Sequence, residues 1–211
     1  MAEDRIDEHI EELNAGEPTV PRPAAGVILM RRGGRHSSSG LEVLLGKRTT
    51  KARFMADVWV FPGGAVDGSA DDDPAHRATA LRELEEEVGI ALAGPGALVP
   101  FSRWITPERV KIRYDTRFYL AQAPAHSSAR PDGEEIVEVR WFAPAEALER
   151  HRAGEVLLVF PTIKQLETLA RFDSPEEALE TIRPLAVEPI LPRVDTSGDQ
   201  PRILLPGDPG Y

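Results

Sequence analysis

Apolar residues occur in short buried-type or alternating runs punctuated by Gly, Pro and Ser, and this spacing predicts several strands and few helices. Residues 24–30 read as a buried strand. A Gly- and Ser-rich hairpin loop over 32–40 leads to a returning strand at 41–45. Residues 58–61 form a further short strand that ends in a turn at Gly63-Gly64. Strands are expected at 98–105, 117–121 and 136–142, with a loop over 123–132. Helices are expected at 144–152, 162–172 and 175–182, each opened by Pro or by an Asp/Ser start signal. One more helix is well marked. Asp73 is placed to cap it, Pro74 fits its first position, and Gly89 is placed to end it in a left-handed conformation. Its apolar stripe is Leu81, Leu84 and Val88, roughly opposite the face that carries Glu83, Glu86 and Glu87. The helix is therefore expected to pack on a sheet by one side and present acid on the other. Mixed strands with few helices give an α+β class.

Three segments follow from this pattern. Residues 1–20 form an acidic flexible arm ending in Pro18, Pro21 and Pro23, with a short helix possible at 6–13. Residues 21–150 hold the main domain. Residues 151–211 form a helical, Pro-rich extension packed on the same domain, with short extended pieces at 187–191 and 203–205. No internal repeat of solenoid period is present.

Composition narrows the function classes. With 211 residues and 41% hydrophobic content the chain is long enough and apolar enough for a well-buried domain. The absence of cysteine excludes a disulfide framework and thiol catalysis. No apolar run approaches the roughly 20 residues needed to span a bilayer. The first residues are too acidic for a signal or transit peptide, and the last three are not a peroxisomal address, so a cytoplasmic location is expected. A net charge of −10 argues against nucleic-acid binding. Basic residues are instead concentrated locally. Lys47, Arg48, Lys51 and Arg53 form one cluster, and Arg103, Arg109, Lys111, Arg113 and Arg117 another. Such clusters suit an anionic small molecule. A homodimer is a fair expectation, with the tail or arm crossing between subunits.

The chemistry centres on Glu83, Glu86 and Glu87. At i, i+3 and i+4 they share a helix face, where like charges repel by about 0.2–0.5 kcal/mol per pair. Anions near a helix C-terminus also oppose its dipole. Glu83 and Glu87 lie about 6 Å apart along the axis, close enough to share one ion or bridge two. Carboxylates are hard ligands that suit Mg²⁺ or Mn²⁺. Gly63 and Gly64, without side chains, allow backbone carbonyls to approach the same ions. Divalent ions on a carboxylate platform suit displacement at phosphorus. None of the five histidines has metal-ligand spacing, and His76 is expected at the surface. Trp59, Trp104 and Trp141 are expected in the core or a pocket wall.

Gly64 followed by Arg82-Glu83-Leu84-Glu85-Glu86-Glu87-Val88-Gly89-Ile90 resembles the Nudix box, G-x5-E-x7-R-E-U-x-E-E-x-G-U with U aliphatic. The second half fits at every defined position. The first half departs: seventeen residues separate Gly64 from Arg82, four more than in the pattern, and Pro74 stands where the first Glu belongs. Asp71, Asp72 or Asp73 would supply that carboxylate from a lengthened loop. The resemblance implies a Nudix fold, an α/β/α sandwich over a mixed sheet, and Mg²⁺- or Mn²⁺-dependent hydrolysis of a nucleoside diphosphate linked to another moiety. It implies Glu83, Glu86 and Glu87 as metal ligands, with one orienting the water, a backbone ligand from Gly64, and Arg82 pairing with a carboxylate. A further acid is expected on the loop before the last sheet strand, where Glu135 and Glu138 are the candidates.

A narrower resemblance concerns substrate. Leu44, Leu45, Arg48, Arg53 and Phe61-Pro62-Gly63-Gly64 match, in register, the coenzyme A diphosphatase signature L-L-T-x-R-[SA]-x3-R-x3-G-x3-F-P-G-G, while Gly46, Thr49 and Asp57 depart from it. The segments Phe54-Met55 and Arg113 to Phe118 are further similar to the peroxisomal acyl-CoA diphosphatase branch. Arg forks bind phosphate in bidentate fashion, and Arg48, Arg53 and Arg117 are the substrate-binding candidates. The implied reaction cleaves coenzyme A or acyl-CoA to 3′,5′-ADP and (acyl-)4′-phosphopantetheine. The rivals are Nudix hydrolysis of ADP-ribose, NADH or dinucleoside polyphosphates, and a catalytically silent Nudix-like binding or regulatory module.

Overall fold

In a computed structural model of the chain, residues 14, 16–34, 40–52, 55–68, 71–197 and 202–211 are described. The possible helix at 6–13 and most of the loop at 32–40 lie outside them. The elements in chain order are β1 (Arg22–Arg32), β2 (Leu41–Arg48), β3 (Trp59–Val60), β4 (Gly63–Ala65), α1 (Asp73–Val88), β5 (Val99–Ile105), β6 (Tyr114–Gln122), β7 (Ile136–Phe142), α2 (Pro144–Arg152), α3 (Phe160–Leu169), α4 (Pro175–Ile182), β8 (Pro189–Ile190), β9 (Arg193–Asp195) and β10 (Arg202–Leu204).

β1 is the axis of the sheet. All seven residues from Ala24 to Met30 are buried, so both faces of this strand are covered. It pairs parallel to β6 and antiparallel to β2 and β4. The order is β3-β2-β1-β6-β5-β8, with β7 on β2 and β4 on β1, which makes the sheet mixed. The two-residue period of β1 separates two cores. Val27 and Leu29 join Leu44, Tyr119 and the α1 residues Ala80, Leu84 and Val88. Ile28 and Met30 join Val43, Phe142 and residues of α2, α3 and α4, among them Leu148, Leu166 and Ile182. One helix on one face and three on the other give the α/β/α layering. A third cluster, Trp104, Phe160 and Ile203, ties the β9–β10 hairpin to β5 and α3.

Several details differ from the sequence-based expectation. Asp72, not Asp73, caps α1: its Oδ1 accepts from the Ala75 N–H at 2.9 Å. Pro74 is then the second helical residue, where its missing N–H is still no loss. Gly89 does close the helix, at φ 69°, donating to the Glu85 carbonyl. Gly63-Gly64 is part of a strand, not a turn, because its backbone pairs with Ala25 and Gly26. β6 starts at Tyr114 rather than 117, drawn out by its parallel register with β1. His76 is fully buried, since both ring nitrogens have partners, the Ala24 carbonyl at 3.0 Å and Asp71 Oδ1 at 2.8 Å. The face of α1 also differs. Glu87 is only 4% exposed, on the same side as Ala80 and Leu84.

Candidate active site

The site forms where α1 meets β4. β4 lies on β1 with Gly63 opposite Gly26 and Gly64 opposite Ala25. A Cβ on Gly63 would lie 2.4 Å from the Ala25 carbonyl oxygen, and one on Gly64 would lie 2.3 Å from Glu83 Oε1. Only glycine permits these approaches. They bring the helix acids against the strand backbone, and the Gly63 N–H donates to Glu87 Oε2 at 2.9 Å.

That bond does not compensate for what Glu87 loses. Burial pushes its carboxyl up to about 8, against the opposing pull of the Gly63 N–H; Glu83 adds to the rise and Arg48 works against it. Glu83, half-buried, is also raised, first by burial, although Arg82 Nη2 at 2.9 Å pulls the other way. Two desolvated carboxyls therefore stand side by side at i and i+4. Glu83 borders a cleft of about 310 Å³; Arg48, Gly63, Gly64, Glu83 and Glu135 form its polar wall, and Phe61, Thr116 and Phe118 line another side, while Glu87 is buried next to it under Gly63. The Arg48 Nε is buried with no hydrogen-bond acceptor among the described residues, so a cation with an unspent donor lines the same space.

Glu135 reaches this wall because its loop is docked on the end of α1. The Arg130 and Asp132 N–H groups donate to the Val88 and Glu87 carbonyls at 3.0 and 3.1 Å, satisfying acceptors that a helix end leaves open. The Asp132 carboxylate then accepts from the N–H groups of Glu134, Glu135 and Ile136. Glu135 consequently adds negative potential at both Glu83 and Glu87. In sequence Asp132 is one more loop acid; in the structure it is the residue that folds the loop. Asp132→Ala should cost about 1–3 kcal/mol of stability, read as a fall in the denaturant midpoint. Turnover should fall at least tenfold because Glu135 is released from its position.

The remaining candidates are distributed differently. Glu86 stays on the solvent side, paired with Arg82 Nη1 at 2.7 Å. Its side chain is exposed and held by that ion pair, and it does not line the cleft. Among the described residues no three acidic or imidazole side chains converge on one point. Glu138 lies on β7 with Arg140 at 2.8 Å, on the strand face it shares with Ile136 and Phe142 rather than in the cleft. Arg117 is not in the cleft either. Thr116 and Phe118 line it, so the alternation of β6 sends Arg117 to the other face, where it pairs with Asp71 at 3.3 Å. Arg53 lies outside the described residues. Nor does Asp71, Asp72 or Asp73 reach the cleft. Asp71 holds His76 and Arg117, Asp72 caps the helix, and Asp73 accepts from Tyr119 and Arg77. The acid that does meet the helix arginine is one that sequence reasoning missed: Asp67, 3.2 Å from Arg82 Nη2. Its place on the short loop after β4 was the available signal. Trp59 and Trp104 are buried wall or core residues and Trp141 packs at the edge of the core.

The NUDIX domain family model matches residues 20–160. The chain belongs to the Nudix family. It is similar to putative nudix hydrolase 7 of Caenorhabditis elegans, 27% identical over 207 residues that cover 80% of this chain and 68% of the relative. It is also similar to the acyl-coenzyme A diphosphatase NUDT19 of Gallus gallus, 26% identical over 302 residues, covering 90% of this chain and 79% of that protein. Among solved structures, a NUDIX hydrolase from Alicyclobacillus acidocaldarius superposes with a TM-score of 0.70 at 28% identity, covering 78% of this chain and 97% of that one. The α+β Nudix fold is thus shared, and the chain is a Nudix hydrolase acting on phosphoric anhydride bonds. Members of the family use divalent metal ions and act on small nucleoside diphosphate substrates. No helix among the described residues is long and apolar enough to cross a membrane.

The residues present fit a divalent ion. The side-chain donors at the α1–β4 contact, Glu83 and Glu87, are hard carboxylate oxygens. The charge of Glu87 is nearly desolvated and has one N–H to stabilise it, which leaves a deficit that a cation would fill. Mg²⁺ normally keeps several waters, so two carboxylates rather than three are a sufficient protein contribution.

Proposed function

We propose that this Nudix hydrolase cleaves the diphosphate of coenzyme A or an acyl-CoA, giving 3′,5′-ADP and (acyl-)4′-phosphopantetheine, with Mg²⁺ or Mn²⁺ held by Glu83 and Glu87. The observation that carries it is the partly desolvated Glu83 carboxyl and the unspent Arg48 donor lining one cleft, with the buried Glu87 carboxyl beside them on the Gly63 N–H. A bound divalent ion would neutralise phosphate oxygens and acidify the attacking water. Arg48 donates to a phosphate oxygen and balances charge built up in the transition state. Glu135, exposed at the rim and close enough to raise both helix carboxyls, accepts the proton of the water. Arg82 fixes Glu83 by ion pairs to Asp67 and Glu86.

Support for the CoA class is the Leu44-to-Gly64 signature and the similarity to an acyl-coenzyme A diphosphatase. The test is a substrate panel with Mg²⁺ and with Mn²⁺, products resolved by mass. Free CoA, hexanoyl-CoA, ADP-ribose, NADH and a dinucleoside polyphosphate are compared by kcat/KM. The CoA compounds should lead by at least tenfold and release 3′,5′-ADP. Brisk cleavage of ADP-ribose or NADH with inert CoA compounds rejects the substrate and keeps the family reaction.

A further inference from the structure

A second cavity, of about 160 Å³, opens beside the catalytic cleft and shares Met55, Val60, Phe61, Tyr114, Thr116 and Phe118 with it. A group that enters it from the cleft is therefore one attached close to the diphosphate, not one at the far end of a long arm. Its walls are rich in rings. Phe61 and Phe118 pack edge-to-face with centroids 6.3 Å apart, and Trp104 and Phe160 do the same at 6.1 Å. Thr116 and Thr162 add hydroxyl-bearing side chains. No charged side chain among the described residues lines it, so it offers a phosphate no counter-charge. Part of the wall comes from outside the family domain. Pro161, Thr162, Pro192 and Ile203 lie beyond residues 20–160, the span of the family model. Ile203 is held against Trp104 and Phe160 in the third core cluster.

We infer that this cavity is the subsite for the nucleobase of the substrate, adenine in coenzyme A, completed by side chains from beyond the family domain. The inference rests on the proposed placement of the diphosphate in the cleft, whatever the group at its other end. Three observations converge on a base. The first is position: a base is one ribose away from its phosphate. The second is shape. A cavity of roughly 150 Å³ accommodates benzene, and one of about 160 Å³ walled by rings suits a planar ring system, whose faces and edges pack well on aromatic neighbours. The third is polarity. Trp104 is 6% exposed and its indole N–H has no acceptor among the described residues. A buried donor left unpaired is costly, and the ring nitrogens at the edge of a base are acceptors that match it. The group on the other side of the diphosphate of coenzyme A is a branched, saturated arm with no ring to lay against these walls.

The experiment titrates three probes into the full chain with Mg²⁺, followed by calorimetry. They are ADP, ribose 5-diphosphate, which lacks only the base, and 4′-phosphopantetheine, the other half of the proposed substrate. Stacking one base on aromatic side chains is worth roughly 5- to 150-fold in affinity. ADP should bind at least fivefold more tightly than ribose 5-diphosphate. Trp104→Phe and Ile203→Trp should each cut that advantage at least threefold, and either one suffices if the other does not fold. The indole resonance of Trp104 in the ¹⁵N-labelled chain, assigned through Trp104→Phe, gives a second readout. It should shift with ADP and stay in place with the other two probes. Equal affinity for ADP and ribose 5-diphosphate overturns the subsite and leaves the proposed function intact. So does an indole moved by 4′-phosphopantetheine and not by ADP, or an ADP that fails to bind a chain that cleaves CoA. Cleavage of ADP-ribose with inert CoA compounds, alongside ADP binding that depends on Trp104, overturns the proposed substrate and keeps the subsite. A chain that cleaves no diphosphate of the panel and binds neither ADP nor ribose 5-diphosphate overturns both.

Discussion

Glu87→Gln is expected to lower diphosphate hydrolysis by about three orders of magnitude while making the metal-free chain more stable above pH 7. The two effects have one cause. Glu87 is 4% exposed and has the Gly63 N–H as its bonded partner. Burial raises its carboxyl from 4.5 to about 8. A group whose folded-state pKa is raised contributes its stability in full below the unfolded value. That contribution is lost as pH climbs from about 4.5 through the folded value of about 8. The loss is on the order of a few kcal/mol, since one unit corresponds to about 1.4 kcal/mol. In chelator the wild-type melting temperature should therefore fall relative to Glu87→Gln between pH 5 and pH 8. The amide keeps the bond from Gly63 and carries no charge to desolvate. With Mn²⁺ present the order should reverse, because the wild-type carboxylate then has a counter-ion. Parallel pH profiles for the two proteins in chelator would show that Glu87 titrates as an ordinary carboxyl and is not poised for a cation.

Gly63→Ala is expected to destabilise the chain by more than about 3 kcal/mol, read as a denaturant midpoint shift or as failure to accumulate folded protein. The added Cβ would meet backbone on two sides, 2.4 Å from the Ala25 carbonyl oxygen and 2.6 Å from the Gly26 Cα. Neither can move without parting β4 from β1. Gly64→Ala offers the contrast. There the Cβ meets the end of the Glu83 side chain at 2.3 Å, and a flexible side chain can swing away. That variant should fold with a melting temperature within a few degrees of wild type and lose about a hundredfold in turnover, since Glu83 no longer rests against the strand. Equal destabilisation by the two substitutions would contradict this division between scaffold and site.

What the sequence conveyed depended on how local the determining contacts are. α2, α4 and β7 fall where Pro starts and period-two alternation place them, because caps and alternation act within a few residues. The acid-rich helix with its Gly89 stop was equally legible. The tilt of its buried face was not. Leu81, Leu84 and Val88 suggested a seam with the glutamates opposite. Leu84 and Val88 are indeed buried and Leu81 packs beside them, but Ala80 and Glu87 are buried with them, because β4 closes over Glu87, and β4 is three residues of Gly-Gly-Ala with almost no intrinsic strand preference. It exists through pairing with β1, distant in sequence. His76 was misplaced for a related reason: a lone histidine in a charged helix reads as surface until the Ala24 carbonyl and Asp71 are seen at its two nitrogens. Arg117 was assigned to substrate by its neighbours in sequence, whereas the alternation of β6, fixed by its register on β1, sends it to the opposite face. The apolar cavity was illegible altogether, since its walls come from β3, β5, β6, α3 and the β9–β10 segment.

The most direct measurement is Mn²⁺ binding to the metal-free chain, followed by the electron paramagnetic resonance of the free ion. The wild type should take up Mn²⁺ tightly enough to deplete the free signal at sub-millimolar concentration. Glu83→Gln/Glu87→Gln, still folded by circular dichroism, should leave that signal undiminished. Uptake by the double variant equal to that of the wild type would place the ion elsewhere and contradict a metal-holding role for the two carboxylates of α1.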